Sequence, residues 1–83
     1  MVAGASGRTT TAFDPNPMTV AKGTTVTWVN NDNTAHTSSA DAGTWASAPI
    51  APGASFSFTF ATPGTYTYHS AIHPNMVGTV TVQ

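Results

Sequence analysis

The chain has 83 residues, with two basic and three acidic side chains and a formal net charge of -1. Arg8 and Lys22 are too few to form a basic patch, which argues against nucleic-acid binding and polybasic membrane docking. The acids are Asp14, Asp32 and Asp41, so a paired-carboxylate mechanism has little to draw on, and with no cysteine there is neither a disulfide nor thiolate chemistry.

Hydrophobic residues reach 40%, with four Phe, two Tyr and two Trp, which is enough for a modest core in a single domain over 1–83. No apolar run is long enough to span a bilayer. The start of the chain lacks the basic and apolar stretches of a signal peptide.

The pattern along the chain is alternation, not helical periodicity. Residues 9–13 read as a first strand, ended by Asp14-Pro15-Asn16-Pro17. Residues 18–21 resume an extended segment, and Lys22-Gly23 turns it. Residues 24–30 alternate, with Val26 and Trp28 on one face. Asn31-Asp32-Asn33 form a loop whose side chains bond their own backbone. A short segment at 35–39 follows, then loop-like sequence over 40–54 with a short strand near Trp45. Residues 55–60 are the clearest strand, with Phe56, Phe58 and Phe60 facing one way. Pro63-Gly64 turns the chain into 65–70, where Tyr66, Tyr68 and Ser70 share a face and Thr65, Thr67 and His69 share the other. A loop over 71–76 leads to a last strand over 77–82. About seven short strands at this spacing predict an all-β fold, a small antiparallel Greek-key sandwich.

The histidines are His36, His69 and His73. His36 follows the Asn-rich loop, and His73 follows the strand that ends at Ser70. Met76 lies three residues beyond His73, so a tight loop can bring Ser70, His73 and Met76 toward one point, with His36 joining from a neighbouring strand. Two imidazoles with a thioether form a ligand set suited to copper. The alternative for Met76 is a core filler. Tyr66 and Tyr68 read as core and corner residues, Trp28 as core, and Trp45 as core or a loop anchor. A hydrolytic Ser-His pair at 69 and 70 fails on geometry, because strand neighbours point to opposite faces. No catalytic residue is assigned.

The run from Gly64 to Met76, followed by Val77 to Val82, closely resembles the C-terminal copper loop of the cupredoxins, in the plastocyanin and pseudoazurin-like branch. There the loop reads Cys-x-x-His-x-x-Met, and residues 70, 73 and 76 occupy those spacings. Ala35-His36-Thr37 resembles the segment around the family's first His ligand. The resemblance covers roughly residues 9 to 82. It implies a copper site of His36, Ser70, His73 and Met76, an electron-transfer role, a redox partner protein, and a periplasmic or extracellular place for the natural parent. Position 70 departs from the family, being Ser where a Cys thiolate is expected, and reads as an engineered replacement. A hydroxyl is a hard, weak ligand, so blue-copper chemistry is expected to fail; the cofactor implied is still copper, with an empty site or zinc in its place as the alternatives. The runner-up is a type 2-like copper site on His36 and His73 with oxidoreductase activity such as nitrite reduction; a third reading is a sandwich with an empty site. His69 resembles the His beside the copper Cys of copper nitrite reductases, but with no further His left for a second site it reads as a surface residue.

Overall fold

A computed structural model describes residues 1–83. Its strands are β1 (Met18–Val20), β2 (Thr24–Val29), β3 (Ser39–Ala40), β4 (Ser55–Phe60), β5 (Gly64–His69) and β6 (Val77–Val82). They form two sheets, one in the order β1-β6-β5-β3 and the other pairing β2 with β4. The fold is the expected all-β sandwich, with one refinement: β1 runs parallel to β6, while every other ladder is antiparallel.

Alternation explains the two layers. In β2, Val26 and Trp28 turn inward, and the register sets Val26 opposite Phe58 and Trp28 opposite Phe56. On the outer face the hydroxyls of Thr25 and Thr59, and of Thr27 and Ser57, bond across the strands at 2.8 Å each. The inward side chains meet those of β5 in an aromatic core. Trp28 and Tyr68 pack edge to face at 5.4 Å between ring centroids, as do Trp45 and Phe60 at 5.1 Å. Trp45 is thus core, and its indole N–H donates to Ser38 Oγ at 2.9 Å. Tyr66 fills the corner role, donating its hydroxyl to the Thr62 carbonyl at 2.7 Å.

Tyr68 lies across β6 directly opposite Gly78. A Cβ at Gly78 would overlap the tyrosine ring, with Cε1 only 2.8 Å away. The missing side chain therefore makes room for one of the largest core residues.

Two predicted strands are corrected. Residues 9–13 form turns, closed by the Ala12 N–H to Thr9 carbonyl bond at 3.3 Å. On the side of β6 that such a strand would need, the Val77 N–H reaches the Thr9 carbonyl at 3.4 Å, but the next positions are held by Asn16, whose side chain donates to the Val77 carbonyl and accepts from the Thr79 N–H. Phe13 still reaches the core, 4.8 Å from Tyr68 and edge to face. The strand expected near Trp45 reduces to an isolated bridge between Ser39 and Ala46. Six strands remain instead of about seven.

Candidate metal centre

His36 is placed by the loop that leaves β2. Asn30 is fully buried, and its amide donates to the carbonyls of Thr34 and Ile50 at 2.8 Å each, while its Oδ1 accepts the Asp32 N–H at 2.9 Å. One side chain thereby satisfies a turn that would otherwise bury orphan backbone groups. His36 itself exchanges two backbone bonds with Ile50 and is fully buried. Its Nε2 lies 2.7 Å from Asp32 Oδ2.

The second segment closes on itself. The Ser70 N–H donates to the Met76 carbonyl at 3.2 Å, and the Met76 N–H donates to the His73 carbonyl at 3.0 Å. Ser70 Oγ accepts the N–H groups of His73 and Thr37, both at 3.3 Å, and so ties this loop to the His36 segment. Thr37 returns the tie through its hydroxyl, which accepts the Ala71 N–H at 2.7 Å. Ser70 is fully buried, on the inward face that the alternation predicted.

These two segments bring the imidazoles together. His73 Nδ1 lies 3.2 Å from His36 Nδ1, with the rings edge to face. Two nitrogens each about 2.0 Å from one ion, at an angle near 105°, stand about 3.2 Å apart. The spacing therefore fits a shared metal ion. Ser70 is joined to the pair through the His73 N–H. Met76 is joined through its backbone, and its side chain is fully buried among the apolar core residues. No group of three or more His, Asp or Glu side chains converges in the structure. Two facing imidazole nitrogens suit copper or zinc better than calcium or magnesium.

Position 70 carries a further mark. N–H···O bonds centre near 2.9–3.0 Å, and both donors stand back at 3.3 Å from Ser70 Oγ. The hydroxyl oxygen of Ser70 thus serves as a shared acceptor between the two segments.

The sequence alone places Asp32 only in a loop, yet in the structure it contacts His36 directly. The His36 hydrogen bond first, and the Asn33 N–H second, hold its carboxyl down to about 2, against burial acting the other way. A carboxylate so held can only accept, so His36 donates from Nε2. The available signal was the spacing of four residues between Asp32 and His36. His69 points away from Ser70, as strand alternation requires, and its Nδ1 meets Asp41 Oδ1 at 2.6 Å on the surface. Hydrogen bonding from Thr67, then from His69, lowers the Asp41 carboxyl below its ordinary value.

The family description "Cupredoxin-like domain" matches residues 8–82. The chain is 38% identical to a plastocyanin of Scenedesmus fuscus over 86% of each chain. It superposes on a purple cupredoxin from Nitrosopumilus maritimus with a TM-score of 0.89 and 32% identity, covering 99% of this chain and 94% of that one. The Cu(I) form of a methionine-to-alanine mutant of amicyanin gives a TM-score of 0.77 at 33% identity, over 82% of this chain and 70% of that one. With the sandwich, the paired imidazoles and these relatives in agreement, the chain belongs to the cupredoxin-like domain family.

Proposed function

We propose that residues 1–83 form a single cupredoxin-like domain that holds one copper ion, or zinc in its place, between His36 and His73, with Ser70 standing where the family has cysteine and Met76 supplying a thioether. The observation that carries this reading is the pair of Nδ1 atoms at 3.2 Å. Bound copper supplies one-electron chemistry, the family's role in electron transfer. The chain's own residues supply the setting. His36 is sealed from solvent and braced by Asp32, while His73 is half-buried beside an exposed Ile72. That exposed end gives a redox partner an apolar landing next to a ligand edge. Ser70 offers a neutral oxygen in place of a thiolate, so the site has nitrogen and oxygen character and transfers electrons poorly compared with its relatives. The natural parent works in the periplasm or outside the cell, as its relatives' family implies.

Calorimetric titration with Cu(II) or Zn(II) tests the assignment. One ion should bind per chain, more weakly as the solution is acidified, because ligation needs an unprotonated imidazole nitrogen. Binding should vanish in the His36→Ala, His73→Ala double variant. Equal affinity in that variant would overturn the proposal.

A further inference from the structure

We infer that Asp32 is a positioning residue for this site: it holds His36 as its Nε2–H tautomer, so that the bare Nδ1 faces His73 before any metal arrives. The inference rests on reading His36 and His73 as the metal-binding pair, and it deepens that reading.

The argument is one of donors and acceptors. Asp32 Oδ1 accepts the N–H groups of Gly4 at 3.0 Å and Asn33 at 2.9 Å, and Oδ2 accepts the Ser6 N–H at 3.3 Å. Backbone N–H groups cannot reverse their role. Three N–H groups favour the ionised carboxylate, which has no proton to give, so the fourth neighbour, His36 Nε2 at 2.7 Å, donates. A neutral imidazole carries one N–H, so a proton fixed on Nε2 leaves Nδ1 with its lone pair exposed to His73. Burial sharpens the effect, because no water shell competes for the ring. Without the carboxylate, the ring could move its proton to Nδ1 and donate to His73 Nδ1, which would block the atom that faces the metal. The 3₁₀ turn at Ala5–Gly7 and the residues flanking it take part in this arrangement. They supply two of the backbone donors, and they also receive the Asn75 amide at the carbonyls of Ser6 and Arg8. The N-terminal segment thus grips the Asp32 loop and the 70–76 loop together.

The same bonds would make Asp32 a good structural cap, so the test must separate the two roles. In metal-free protein with ¹⁵N-labelled histidine, long-range ¹H–¹⁵N spectra report the tautomer directly. His36 should carry its proton on Nε2 alone. In Asp32→Asn, an amide can donate to Nε2, and the ring should populate the Nδ1–H form. Zn(II) affinity in the same variant should fall about 10- to 100-fold, the usual effect of losing such a partner. Val20→Ala, in β1 at the sheet edge opposite β3, should lower the melting temperature and leave both readouts unchanged. A metal-free wild-type ring protonated on Nδ1 overturns the inference without any variant. So does an Asp32→Asn protein that melts earlier but keeps the tautomer and binds Zn(II) within about twofold of wild type. Failure of the wild type to bind any metal would instead overturn the reading of the site, and is told apart because the tautomer is measured without metal.

Discussion

At Asp32 a hydrogen-bonding role turns into a pH dependence. Its carboxyl is held at about 2 in the folded protein, mainly by the His36 hydrogen bond, against an ordinary value of about 3.9. A depressed carboxyl contributes stability that is fully present above the unfolded value and is lost as pH falls through the folded value. Metal-free protein should therefore lose stability between about pH 4 and pH 2. Asp32→Ala should be less stable at neutral pH and show a flatter decline across that window. Chemical denaturation at a series of pH values checks it, and an unchanged slope in the variant would count against the pairing. That Ser70, His73 and Met76 share one closed loop was legible in the sequence, because their spacing is local. So was the outward direction of His69, because strands alternate. Asp32 stayed hidden because a run of Asn and Asp is ordinarily satisfied by its own backbone, and the sequence does not show that the turn also buries a ring four residues on. Asp41 as the partner of His69 was equally out of reach, being 28 residues away.

Among the elements, β2, β4, β5 and β6 were legible because each alternates cleanly and each finds a full-length partner. Residues 9–13 are rich in strand-favouring Thr, but a ladder needs a free edge, and Asn16 holds the Val77 and Thr79 positions on that side of β6. Trp45 could not be placed from its loop, since only the meeting of two sheets shows where an indole fits. The pairing of Tyr68 with Gly78 is likewise a property of register. Gly78→Ala would drive a methyl group into the buried Tyr68 ring, and should cost about 1–3 kcal/mol, as overpacking a tight core does. Thermal or urea unfolding would show it. A variant within a few tenths of wild type would mean that Tyr68 does not cross β6 at that point.

For the whole molecule, the core and the site divide the work. Trp28, Trp45, Phe60 and Tyr68 pack between the sheets, while His36 and His73 meet at the ends of loops. No buried side-chain nitrogen or oxygen lacks a hydrogen-bond partner, so the site is satisfied without metal. The protein should therefore keep a cooperative thermal melt and its strand circular dichroism in excess chelator. Loss of the melt would show that metal binding drives folding.

On the proposed reading, the fold aims position 70 at a bound copper ion, with a hydroxyl oxygen in place of the family's sulfur. Ser70→Cys tests it. At equal Cu(II) content, visible absorption of the variant should be intense, from thiolate-to-copper charge transfer, while the chain with Ser70 stays nearly colourless. A Ser70→Cys protein that binds copper and remains colourless would contradict the placement of the 70–76 loop around the metal.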